Sequence, residues 1–177
     1  MILYSIPDAI ILGFGIYTIF WFLLNSREHK LQWNKLDEAA CVLFSIGGLL
    51  LLGRELYDFY WSFDSISSEE DYYALDNRIF GPYWINYWLP PLIKILLSQA
   101  LWLKKIRGNR GLRITVAVLV LLPWEWLLIL IYSMSSDYLP STWGMFSINN
   151  TLAQLPIFLI LLGLSYWLRL KLGQKRD

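Results

Sequence analysis

Two ionisable residues in this sequence sit where an ionisable group is costly. Lys94 interrupts LPPLIKILLSQALWLKK (89–105) and Glu125 interrupts VLLPWEWLLIL (120–130). Lys94 is twelve residues from Pro82 and ten from Lys104, while Glu125 is twelve from Arg113 and ten from Ser135. If both runs are membrane helices rising about 1.5 Å per residue, both groups lie near the middle of the bilayer. A lysine there is roughly 15 Å from its nearer boundary and does not easily reach water. Intramembrane charges usually face the bundle interior and pair with one another. Lys94 and Glu125 are therefore expected to form an ion pair or share a proton. The plainer alternative is that they only lock two helices together.

A second cluster, Arg54, Glu55 and Asp58, lies in GRELYDFYW (53–61). Arg54 and Asp58 are spaced i,i+4 and share a helix face, as an interfacial salt bridge would require. Asp37 and Glu38 precede a long apolar run, where carboxylates suit a helix N-terminus. Read together, Asp37, Glu125, Glu55 and Asp58 make a discontinuous string of carboxylates of the kind that moves protons in pumps. Helix capping and interfacial pairing explain the same residues without transport.

These groups need helices to place them, and the composition supplies membrane helices. The chain has 177 residues, is 56% hydrophobic and only 16% charged, and has ten tryptophans. A soluble domain would carry about a quarter charged residues, and Trp favours membrane–water boundaries. About 20 apolar residues cross a hydrocarbon core. Five segments qualify, near 6–24, 38–60, 82–103, 113–134 and 151–170. The fold class expected is thus all-α, one integral membrane bundle of five transmembrane helices over residues 1–177.

The connections alternate in charge. NSREHKLQWNK (25–35), KKIRGNRGLR (104–113) and LRLKLGQKR (168–176) are basic, whereas SISSEEDYYALDN (65–77) is acidic and SSDYLPSTWG (135–144) carries one acid. Lys and Arg concentrate on the cytoplasmic side of short loops. That puts the N-terminus outside and the C-terminus in the cytoplasm. MILYSIPDAI lacks a basic stretch ahead of its apolar run and does not read as a cleaved signal peptide. Pro90, Pro91, Pro123 and Pro156 fall inside spans and are expected to kink them. Gly13, Gly15, Gly47, Gly48 and Gly53 are expected to allow close helix approach. The acidic segment 62–81 is the longest outer connection and could serve as a docking surface.

One cysteine, Cys41, excludes an intrachain disulfide, and one histidine, His29, excludes a haem held by two histidines of this chain. No nucleophile–base pair, metal-ligand spacing or phosphate-binding loop marks an active site. NNT (149–151) has the form of a glycosylation acceptor, relevant only in a glycosylating compartment. Any redox centre would belong to a partner, and no nucleic acid is expected among the partners.

NRIFGPYWINYW (77–88), followed by QALWLKKIR (99–107), a central Glu125 and LPSTWGM (139–145), resembles the NrfD/PsrC (polysulfide reductase membrane subunit) family. The likeness is greatest to the form found in alternative complex III of bacterial respiratory chains. KLDEAACVL (35–43) and ELYDFYWS (55–62) extend the resemblance upstream. It implies a subunit of a quinol-linked electron-transfer complex in the bacterial cytoplasmic membrane. The partners implied are membrane lipid and other membrane and periplasmic subunits. No cofactor would be bound by this chain, with menaquinone or another quinone, iron–sulfur and haem centres on partner subunits. The chain departs from the family in lacking its N-terminal bundle, where the quinone pocket is usually placed. Lys35 replaces a histidine, Trp126 an arginine, and Lys94 an asparagine-like position. Two alternatives to a respiratory subunit follow: a non-catalytic scaffold or assembly factor, and an independent transporter. The second is disfavoured by the lack of an internal repeat.

Overall fold

The computed structural model describes residues 2–24, 30–81, 84–135 and 148–173, with a few helical side chains, Glu125 and Trp126 among them, outside the description. His29 and LPSTWGM also lie outside the described residues, as do the side chains of NNT. Every regular element described is a helix. They run α1 (Ile2–Leu24), α2 (Lys30–Asp64), α3 (Glu69–Phe80), α4 (Trp84–Ala100), α5 (Lys104–Gly108), α6 (Arg110–Leu121), α7 (Trp124–Ser135) and α8 (Ile148–Gly173). Among the described residues two stretches are long and apolar enough to cross a membrane, Ser5–Leu23 and Lys35–Asp64.

α1 packs against α2, α6 and α8, and α2 packs also against α4 and α8. Phe14 of α1 stacks on Phe44 of α2 with ring centroids 4.1 Å apart. Around them Ile10, Ile11, Cys41, Val116, Val120 and Phe158 close the core. Pairings at both ends fix the directions. α1 meets α2 through Asp8 with Arg54 at one end and Tyr17 with Asp37 at the other, so the two are antiparallel. α8 likewise opposes α2, since Phe158 meets Gly13 of α1 while Ser165 and Arg169, further on, meet Ala39 and Glu38 near the Tyr17–Asp37 level. Apolar side chains also cover much of the exterior, including Phe20, Leu23, Leu50, Leu96, Leu159 and Ile160. An apolar exterior on this scale is out of place in water.

Several expectations change. α2 starts eight residues before position 38 and ends four after position 60. Asp37 therefore sits two turns inside the helix, and capping does not explain it. The helix continues through Pro90 and Pro91 in α4 and through Pro156 in α8. At Pro123 the chain breaks instead, dividing the fourth segment into two twelve-residue helices. Pro123 has no N–H for the Leu119 carbonyl, and the Trp124 indole Nε1 donates to that oxygen at 2.8 Å. The Trp124 amide turns to the Leu122 carbonyl at 2.9 Å, so the preceding helix is not resumed in register. Glu125 consequently falls in the first turn of α7 rather than inside a continuous helix.

The acidic connection is mostly helical. Ser68 caps α3, its hydroxyl accepting from the Asp71 amide at 3.2 Å, and Leu75 and Ile79 supply the buried face. The Asp71 carboxylate accepts from the Ser68 hydroxyl at 2.9 Å and amide at 3.1 Å, and from the Ser67 hydroxyl at 3.0 Å. These bonds, the Ser68 hydroxyl foremost, hold its carboxyl below the usual carboxylate range. A carboxyl whose folded pKa is depressed contributes stability above its unfolded pKa and loses it as pH falls through the folded value. The protection factors of the Asp71 and Tyr72 amides, which donate to Ser68, should hold down to the ordinary carboxylate range and fall only below it. Asp71→Asn should remove that pH dependence.

Candidate functional site

Asp37 and Arg113 form the most deeply buried charged pair described. Asn109 accepts from the Leu112 amide at 3.2 Å and starts α6, which sets Arg113 one turn in, facing α1 and α2. Arg113 is 3% exposed. Its Nη1 donates to Asp37 Oδ2 at 2.6 Å and its Nη2 donates to Oδ1, a two-pronged match of planar groups. The Tyr17 hydroxyl reaches Asp37 Oδ1 at 3.4 Å, a long bond. Arg113 Cζ lies 5.8 Å and 5.5 Å from the ring centroids of Phe14 and Phe22, so α1 lays two aromatic faces against the cation. Both carboxylate oxygens accept from Arg113.

The opposite end repeats the device with other residues. Arg54 of α2 pairs with Asp8 of α1, and its Nη2 donates to Glu55 Oε1 at 2.9 Å. The expected i,i+4 partner, Asp58, lies one turn further along. Its backbone carbonyl accepts from the Ser62 hydroxyl at 2.7 Å. Asp37 and Arg54 are seventeen residues apart on one helix. At about 1.5 Å per residue that is roughly 26 Å, close to the thickness of a hydrocarbon core.

Between the two ends the polar contacts are hydrogen bonds among uncharged groups. The Ser45 hydroxyl donates to the Ser98 carbonyl at 2.9 Å, and Gln99 Nε2 donates to the Ser45 carbonyl at 3.0 Å. These bonds clamp α2 to α4. Lys94, half-buried, sits one turn before Ser98 on α4. α4 also packs against α7, so the helices carrying Lys94 and Glu125 are neighbours, as the sequence suggests. The Glu125 side chain lies outside the described residues, and with it the contact between the two groups.

The carboxylate string resolves into separate places. Asp37 lies about two turns into α2, Glu55 and Asp58 lie about five to six turns further along it, and Glu125 stands on α7. Among the described residues no three His, Cys, Asp or Glu side chains gather as a metal site would need. Residues that sequence reasoning passed over carry the pairing: Asp8, Tyr17, Ser45, Ser98, Gln99 and Arg113. Two left a readable signal. Asp8 is the only acid in the first apolar segment, and Arg113 is the last cation before the fourth. The chain matches no family model, no curated protein and no solved structure at a significant level.

Proposed function

We propose that this chain is a NrfD-like integral membrane subunit of a quinol-linked respiratory electron-transfer complex in the bacterial cytoplasmic membrane. In this reading it crosses the bilayer five times, with α6 and α7 together as the fourth crossing, the N-terminus outside and the C-terminus in the cytoplasm. Its part is to hold a helix bundle against partner subunits that carry the iron–sulfur, haem and quinone sites. The membrane assignment rests on one observation above all: the Asp37–Arg113 and Asp8–Arg54 pairs stand seventeen residues apart along α2, about 26 Å, with an apolar exterior between them. The respiratory assignment rests on the resemblance of residues 76–145 to that family.

Within the bundle, Glu125 is the carboxylate available for proton movement, with Lys94 as its proposed partner on the neighbouring helix. Asp37 and Glu55 are each engaged by an arginine, which favours a second reading as a non-catalytic scaffold or assembly factor. One preparation separates the two. Purified in mild detergent from its native membrane, the chain should bring iron–sulfur or haem-bearing subunits with it. In the intact complex Glu125→Gln should then lower proton translocation per electron. Unchanged translocation supports the scaffold, and isolation with no redox partner removes the respiratory assignment.

A further inference from the structure

Two fully buried polar atoms near the Asp37–Arg113 pair lack a hydrogen-bond partner, Arg113 Nε and Thr18 Oγ1. Thr18 is 0% exposed. A donor or acceptor left in this state costs the full desolvation of the group, so native structures almost always satisfy it, often with an ordered water. The two atoms belong to one locality. Phe14 and Phe22, whose rings flank the Arg113 guanidinium, are each four residues from Thr18 on α1. Residues spaced i,i+4 share a helix face, so Thr18 lies on that face between the two rings that Arg113 rests on. Arg113 gives one N–H from each of Nη1 and Nη2 to Asp37, and its Nε–H, buried, finds no acceptor in the protein.

We infer that a water molecule is bound between α1 and α6, accepting from Arg113 Nε–H and donating to Thr18 Oγ1. The site meets the requirement of at least two polar partners for an internal water. It also gives a partner to the one polar atom of the Asp37–Arg113 pair that has none, since Nη1, Nη2, Oδ1 and Oδ2 are each engaged within the protein. This inference is independent of any respiratory role.

Thr18→Val keeps the shape of the side chain and removes its hydroxyl. If that hydroxyl were truly orphaned, the change would stabilise the protein. With the water in place it should raise the unfolding equilibrium constant on the order of fivefold. Arg113→Lys keeps a cation for Asp37 and removes Nε–H. In the cycle of Thr18→Val and Arg113→Lys, the second change should therefore cost markedly less in the presence of the first. A direct reading comes from the full chain in bilayers with ¹⁵N-labelled arginine, where Arg113 Nε–H should show a cross-peak to water that Thr18→Val abolishes. Strict additivity in the cycle, or no water cross-peak at Arg113 Nε–H in the unaltered protein, overturns the site. A hydroxyl turned instead onto its own helix would give both of those results.

Discussion

Arg113→Ala should destabilise the protein by about 3–5 kcal/mol, and Asp37→Ala by a similar amount. Each change leaves a buried charge without its ion-pair partner, and Arg113 is almost entirely removed from solvent. Much of the loss is desolvation of the abandoned partner rather than the intrinsic strength of the pair. Replacing both at once, Asp37→Leu with Arg113→Met, should therefore recover most of the stability, because neither charge is left. Arg113→Lys should fall between, since an ammonium keeps the charge but cannot present two parallel donors to a carboxylate. Reversible unfolding in detergent, followed by tryptophan fluorescence, measures all four. If the double replacement costs as much as the two single alanine changes together, the residues do not act as a pair.

Gly48→Ala should be strongly damaging for a single added methyl group. A Cβ at Gly48 would stand 2.5 Å from Ser98 Cβ, and no rotation about the Ser98 side chain moves that atom. α2 and α4 would have to separate. Overpacking of this kind costs about 1–3 kcal/mol, and separation also weakens the bonds from Ser45 to the Ser98 carbonyl and from Gln99 to the Ser45 carbonyl. Ser98→Gly in the same chain should relieve the clash and return part of the loss. Gly53 and Gly163 have nothing within 4 Å of where a Cβ would be. Alanine at either should stabilise its helix by about 0.5–1 kcal/mol. The same unfolding assay, run on Gly48→Ala beside Gly53→Ala, should give shifts of opposite sign.

The contrast between those glycines marks how far the sequence could be read. Gly13, Gly15, Gly47, Gly48 and Gly53 look alike in sequence, and the first four do sit against side chains of neighbouring helices. Gly53 does not, because which face of a helix is occupied depends on tertiary packing. Helical segments emerge from apolar run length, since an extended hydrophobic run fixes where a helix lies even when its ends drift. The ends drifted most where polar residues continue the helix, as in 30–37 and 61–64 of α2. Pro123 and Pro156 are equivalent in sequence, yet one breaks the chain and the other is absorbed. At Pro123 the neighbouring Trp124 indole serves the freed carbonyl and stabilises the break. Charged partners were hardest to foresee. Arg54 has a well-spaced carboxylate on its own helix in Asp58, but Asp8 on α1 reaches it across the interface. Arg113 reads as one more cation of a basic connection until folding brings it beside Asp37, seventy-six residues away.

The ion pairs spaced along α2 have a mechanical consequence. Asp8 holds α1 at Arg54, Arg113 holds α6 at Asp37, and Arg169 ties α8 to Glu38 beside it. Sliding any of these three helices along α2 would break a pair. In the membrane reading proposed above, a bilayer thicker or thinner than about 26 Å is then met by tilting the helices together or by stretching or compressing the lipid around them.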